Sequence, residues 1–369
     1  MMRIDRVEIR LVEIPLRFPF QTSLGREDSK VCLLVTVFSD GVAGWGEVAA
    51  CRAPLYNEET VETAWHVLKD FLVPLLFSRE WSHPRDFARA CLKFRRNHMA
   101  RAGLESAVWD LYSSRLGRPL SEVLGGTRSA VAVGISLGLE EQRIVLLGRV
   151  EQALEVGYRR VKLKIAPGHD LELLREVRAA FPDAPLQVDA NAAYGPRDMD
   201  RLVALDEIGL QMLEQPFGDE DLVDHARLQK RMRTPVCLDE SLDSPDMVRA
   251  AAELGACRVV NLKPGRVGGV HPSLQIHELC RERRLPLWCG GMLETGVGRL
   301  HNLALASLKG FTLPGDLSAS DRYFERDLID PPVRLNPDGT VDVPVEVGID
   351  CRVDHRRLAE VTLRTEQLR

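Results

Sequence analysis

The sequence predicts an α/β protein in which repeated strand–helix units close into a parallel barrel, capped by an α+β domain formed by the N-terminal region and the C-terminal tail. Three observations predict it. First, Asp189, Glu214 and Asp239 each end a short apolar run and lie at a constant spacing of 25 residues, and each run is followed by a stretch with helical periodicity. That period is one β/α unit. Second, the run before them, Val161-Lys162-Leu163-Lys164-Ile165, and the run after them, Val259-Val260-Asn261-Leu262-Lys263, carry lysines where the three carry carboxylates. Polar groups at successive strand C-termini mark the active-site face of a TIM-type barrel. Third, the first 125 residues lack this repeat and show alternating strands followed by long helical stretches. The expected division is a capping part over 1–125, a barrel over 126–325 and a returning tail over 326–369.

In chain order, alternation predicts a strand over 4–15, and residues 31–38, Ser39-Asp40-Gly41 and 42–47 read as a hairpin. Residues 18–25, Phe20 among them, join aromatics to small polar residues with little periodicity, and 50–57 is similar. On their residues each reads as an ordinary connection. Helical spacing covers 58–76 and 84–116, with Pro74 and Pro84 as punctuation. Leu124-Gly125-Gly126-Thr127 supplies the hinge. The first barrel strand is 131–137, ending at Ser136, and the seventh is 285–289. Helices are expected over 140–156, 170–181, 198–208, 222–232, 245–254, 269–283 and 298–307, with Gly157, Gly209 and Gly255 where C-caps belong. The tail reads as strands and turns.

A net charge of -5 with mixed signs implies neither a nucleic-acid nor a membrane surface. The eight cysteines form no Cys-x-x-Cys pair, and Cys237, Cys257 and Cys289 lie in or beside apolar runs. They read as reduced core residues of a cytoplasmic protein. Charge precedes any long apolar stretch at the N-terminus and no run is long enough to span a bilayer, so neither a secretory signal nor a membrane span is expected.

The chemistry lies in the strand ends. Alternation puts Lys162 and Lys164 on one face, where each is expected to depress the other's proton affinity and make a usable base. The other reading is an edge strand carrying solvated lysines. Three carboxylates in register with lysines on both sides suit a hard cation such as Mg2+. Such a site suits removal of a proton α to a carboxylate, with fixed positive charge stabilising the enediolate. Arg266, three residues after Lys263, either keeps that amine partly neutral or is a solvated loop arginine. Asn191 either caps the following helix or orients a ligand. Gly290-Gly291-Met292 either admits a ligand close to the backbone or relieves crowding inside the barrel. No histidine shares a strand end with the carboxylates.

The ordered set Lys162-x-Lys164, Asp189-x-Asn191, Glu214-Gln215-Pro216, Asp239-Glu240-Ser241 and Lys263 resembles the enolase superfamily, muconate lactonizing enzyme subgroup. Residues 290–298 and Leu313-Pro314-Gly315-Asp316 look like its N-succinylamino acid racemase and o-succinylbenzoate synthase branch. The resemblance implies a (β/α)7β modified TIM barrel, with Mg2+ (or Mn2+) held by Asp189, Glu214 and Asp239. It implies Lys164 and Lys263 as bases on opposite sides of a substrate, Lys162 in support, and Ser136, Asn191, Glu240, Arg266, Gly291, Met292, Glu294 and Phe20 as substrate-contacting or supporting residues. Glu294 would polarise Lys263 or fix the following turn, and the resemblance alone implies that 18–25 and 50–57 are flaps over the barrel mouth. The implied reactions are racemisation of N-succinyl (N-acyl) amino acids and dehydration to o-succinylbenzoate in menaquinone synthesis, by a homo-oligomer acting on a small carboxylate with a succinyl arm. The alternatives are a dipeptide epimerase, which typically carries Asp-x-Asp where this chain has Pro314-Gly315-Asp316, another cycloisomerase of the subgroup, or a metal-binding scaffold without catalysis.

Overall fold

The computed structural model describes residues 1–369 except Leu24 and Glu141, so those two positions of the expected segments 18–25 and 140–156 lie outside the described residues. Strands β1 (Arg6–Thr22), β2 (Gly25–Ser39) and β3 (Val42–Val48) open the chain. Next comes β4 (Ala130–Ala132), which pairs antiparallel with the tail residues 340–342. The barrel strands follow as β5 (Ile135–Leu137), β6 (Val161–Lys164), β7 (Leu186–Asp189), β8 (Leu213–Glu214), β9 (Val236–Leu238), β10 (Val259–Leu262) and β11 (Leu287–Cys289). The tail adds β12 (Thr340–Asp342) and β13 (Thr362–Leu368).

Strands β5 to β11 form one parallel sheet in sequence order, the signature of consecutive right-handed β/α units. Residues 311–316 stand in the eighth position. The Thr312 and Asp316 amides donate to the Leu287 and Cys289 carbonyls, while Gly315 exchanges hydrogen bonds with Ala132 and Gly134. The second sheet is antiparallel in the order β13-β1-β2-β3, so the C-terminal strand pairs with the N-terminal one.

The expected hairpin is longer than its periodicity suggested. β1 and β2 stay paired out to Thr22 and Gly25, with a register shift between Pro15 and Phe20. Pro15 and Pro19 lack the N–H a regular ladder needs, so the alternation breaks there without ending the strands. The helical stretch expected over 84–116 divides into Pro84–Cys91 and His98–Leu116, because Arg96 and Asn97 take left-handed φ angles of 54° and 50°. Pro74 does not end the helix before it: helical structure runs from Val61 through a π-helical turn at Leu68–Leu72 to Phe77. The tail also contains an unexpected helix, His355–Val361. The first barrel strand splits at Gly134, where a Cβ would come within 2.6 Å of the Arg160 guanidinium.

Three apolar clusters hold these layers. One lies between the barrel sheet and its helices and includes Val161, Leu163, Leu186, Val188 and Leu213; a second packs the capping sheet on helix His98–Leu116. The third, Met212, Cys237, Val259 and Trp288 with Leu313, is separate from both. These residues fill the barrel interior beneath the polar strand ends, as layered packing requires.

Candidate active site

Period-two alternation builds the site. Val161 and Leu163 join the outer core, so Lys162 and Lys164 point into the barrel. Lys164 pairs in register with Asp189, and Asp189 with Glu214, while Asp239 directly follows β9. Lys263 follows β10 on the other flank. All six side chains are buried, which excludes the edge-strand reading of the lysine pair.

Each cation has carboxylate partners. Lys164 Nζ lies 2.6 Å from Asp189 and donates to Asn191 Oδ1. Lys162 Nζ reaches Asp316 at 2.7 Å, Glu214 at 3.0 Å and Asp189 at 3.3 Å. Opposite them, Lys263 Nζ lies 2.7 Å from Asp239 Oδ2, whose other oxygen accepts from Arg266. Glu214 also accepts from Asn261 and Gln187, each at 2.7 Å. Among the described residues no three Asp, Glu, His or Cys side chains are grouped so as to hold a metal ion; the lysines and Arg266 lie against the three carboxylates instead.

The electrostatics differ from the sequence expectation at two points. Burial works against a charged Lys162, yet Asp316, Glu214 and Asp189 outweigh it, so the affinity of Lys162 for its proton is raised rather than depressed by its neighbour. Lys263 is raised in the same way, against its burial, chiefly by Tyr56 and Glu240. Arg266 does not keep it neutral, because the guanidinium is spent on Asp239 and on the carbonyls of Leu242 and Asn261. Nor is Arg266 a solvated loop arginine: it is 4 % exposed. Burial would raise the Asp189 carboxyl, but Lys164 and Lys162 hold it at about 2. Glu240 moves up, through burial and the charge of Asp189.

The strand ends open into a cavity of about 410 Å3 closed over by the capping domain. Its lining includes Phe20, Ser136, Asn191, Gly291, Met292 and the lysines, and among the described residues no histidine belongs to it. The tip of the β1–β2 hairpin is the flap: Phe20 faces Lys164 at 5.9 Å, and Ser23 donates to the Ala190 carbonyl at 3.3 Å. The second segment contributes Tyr56, whose hydroxyl lies 3.3 Å from Lys263 and 3.2 Å from Asp239. Asn191 bridges Lys164 and Glu240, donating to the latter at 2.8 Å, which commits its side chain to the site. A Cβ at Gly290 would sit 2.2 Å from Asn261 and one at Gly291 2.5 Å from the Asp316 carbonyl, so both glycines relieve crowding, and Gly291 also faces the cavity. Glu294 accepts from the Met292 amide at 2.7 Å and from Asn302 at 2.9 Å, the bonds of a residue that fixes the turn.

Sequence reasoning missed Tyr56, Gln187, Asn261 and the pair Arg160–Asp316. Alternation carries the signal for three of them, since Gln187 and Asn261 stand two residues before Asp189 and Lys263, and Arg160 two before Lys162, each sharing the face of the residue it precedes. Asp316 is buried against Arg160 at 2.5 Å, Lys162 at 2.7 Å and Ser136 Oγ at 3.0 Å. Burial opposes its charge, but Arg160 and Lys162 hold the carboxyl well below the usual range. Asp316→Asn leaves two buried cations facing an amide, and losing one partner of a buried pair typically costs about 3–5 kcal/mol. A clear fall in the urea midpoint is expected; an unchanged midpoint would refute the pairing.

The family model "Mandelate racemase / muconate lactonizing enzyme, N-terminal domain" matches residues 5–125, and "Enolase C-terminal domain-like" matches 146–357. An o-succinylbenzoate synthase from Geobacillus kaustophilus is 51% identical over 97% of this chain and 96% of that protein. An N-succinylamino acid racemase from Thermus thermophilus is 48% identical over 98% of both. The solved structure of an enolase superfamily member from Listeria innocua superposes with a TM-score of 0.96 at 41% identity, covering 100% of this chain and 99% of that one. With both family models matched and Lys162, Lys164, Asp189 and Lys263 facing one cavity, the chain belongs to the mandelate racemase / muconate lactonizing enzyme family of the enolase superfamily.

Proposed function

We propose that the chain is a Mg2+-dependent enzyme that removes the proton α to a carboxylate. It racemises N-succinyl (N-acyl) amino acids, dehydrates the cyclohexadiene precursor of o-succinylbenzoate, or does both, the second being a step of menaquinone synthesis. The observation that carries the reading is the placement of Lys164 and Lys263, both lining one cavity, on opposite flanks of a row of three buried carboxylates, of which Asp189 faces that cavity. The two relatives named above, similar over nearly their whole length, support the substrate class.

The chemistry of the donors fits the cation, which would take the place of the lysine and arginine contacts now made by the three carboxylates. Asp189, Glu214 and Asp239 are an all-oxygen set from successive strands, the ligand chemistry Mg2+ prefers. Together with Asp316 and Glu240 they make five carboxylates beside five cations, Arg160, Lys162, Lys164, Lys263 and Arg266, so a substrate with two carboxylates brings a charge that a divalent cation would offset. Bound there, Mg2+ supplies fixed positive charge that favours the enediolate over the substrate.

The chain's own residues do the rest. Lys164 takes or returns the proton on one face, and Asn191 orients its amine. Lys263 serves the opposite face, so two-base transfer inverts the carbon and one base alone suffices for elimination. Lys162, locked between Asp316 and Glu214, supplies positive charge rather than a base. Glu240 and Arg266 position Asn191 and Asp239. Phe20 and Tyr56 exclude water from above. A dipeptide epimerase is disfavoured because Asp316 is consumed by Arg160 and Lys162, leaving no free carboxylate there for an α-ammonium. The reading carries with it a cytoplasmic homo-oligomer, and the mostly buried free cysteines suit a reducing compartment.

The test compares kcat/KM for racemisation of N-succinyl-phenylalanine with that for dehydration of the o-succinylbenzoate precursor. Turnover of at least one is expected, abolished by EDTA and restored by Mg2+. Failure with both would return the substrate question to other carboxylates, and activity indifferent to EDTA would remove the metal.

A further inference from the structure

Lys30 lies on β2 of the capping sheet and is 2 % exposed, yet its ammonium reaches across to the barrel, donating to the Met292 carbonyl at 2.9 Å as well as to Ala49 at 3.4 Å. Lysines ordinarily keep their head group in water. Burial opposes that charge, and Cys32, Cys51, Glu47 and Glu294 favour it. Met292 is gripped on its other side as well, because its amide donates to Glu294, itself oriented by Asn302. The next residue, Leu293, has φ 56°, a left-handed conformation unusual for a bulky side chain. Such strain persists only where the surroundings over-determine it. Glu47, on β3, secures the far end of the turn, accepting from Thr295 Oγ1 at 2.6 Å, from the Thr295 amide and from the Gly298 amide at 3.1 Å. Met292 and Leu293 both line the cavity, and Met292 Sδ lies 3.6 Å from where a Cβ on Gly265 would stand, beside the Lys263 flank.

We infer that Lys30 is a specificity-determining positioning residue: by holding the Met292 carbonyl from the other domain, it fixes the apolar wall against which the substrate's amino-acid side chain packs. The substrate in this statement rests on the reading proposed above. Lys30 touches no reacting atom, so its loss should appear in the fit of large side chains and not in proton transfer.

Lys30→Met keeps an unbranched side chain one atom shorter and removes the donor. Its KM for N-succinyl-phenylalanine is expected to rise by about tenfold, the usual worth of a small misfit in an apolar pocket. Its kcat, and its KM for N-succinylalanine, should stay within about twofold of wild type. Independently of any substrate, amide hydrogen exchange over residues 290–295 should accelerate, while β1 and β2 keep their protection. Should Lys30→Met not fold, Glu294→Gln weakens the same grip and is read by the same exchange. Wild-type exchange over 290–295, or a KM that rises equally for both substrates, overturns the inference. If the wild-type protein turns over no N-succinyl amino acid, the substrate reading fails, and the exchange result still decides whether Lys30 holds the turn.

Discussion

For the N-succinyl amino acid enantiomer that presents its α-proton to Lys164, replacing Lys164 by Ala is expected to lower exchange of that proton with solvent deuterium by roughly 10^2–10^4-fold, the range over which a positioned base contributes. The enantiomer facing Lys263 keeps its exchange. Other amines stand nearby, and the geometry says why they do not substitute. Lys162 is held by Asp316, Glu214 and Asp189 together, and these three contacts tether it beneath the strand end. Lys263 belongs to the opposite flank, against Asp239. The substitution leaves Asp189 with partners, Lys162 at 3.3 Å and the Asn191 amide at 3.0 Å, so no carboxylate is stranded in the interior and the fold should survive. Exchange of a bound N-succinyl amino acid followed by NMR measures the effect, with Mg2+ affinity as the control. Undiminished exchange of the first enantiomer would show that another group is the base.

How far this site could be read from sequence depends on which residues share a strand. Lys162, Lys164, Asp189, Glu214, Asp239 and Lys263 stand out, because charged residues that end short apolar runs at a regular interval must converge on the mouth of one barrel. The polar layer below them was legible by the same alternation and was passed over, since neutral Gln187 and Asn261 look like ordinary strand residues until Glu214 is seen between them. Tyr56 and Lys30 carry no local signal. Each acts across the junction of capping domain and barrel, at sequence separations of 207 from Lys263 and 262 from Met292, and only the folded chain makes them neighbours. The hairpin tip was missed as strand because Pro15 and Pro19 interrupt its pattern, while its partner strand continues past them.

Lys263 provides the second decisive substitution, because the two candidate reactions make different demands on it. Racemisation needs a base on each face, so Lys263→Ala is expected to slow interconversion of enantiomers by roughly 10^2–10^4-fold. Lys164 should still exchange the α-proton of whichever enantiomer presents it to that face. Dehydration needs one base and gains from positive charge near the enediolate, which makes Lys263→Arg the informative companion. Arginine keeps the charge but cannot give up its proton, so racemisation should remain lost while dehydration is retained in part. Asp239 keeps Arg266 on its other oxygen and Tyr56 within 3.2 Å, which limits the structural damage in either variant. Racemisation at the wild-type rate in Lys263→Ala would end the two-base assignment. Loss of both reactions in Lys263→Arg, with the fold intact, would mean that Lys263 is needed as a proton carrier even in elimination, and the one-base account of dehydration would have to be given up.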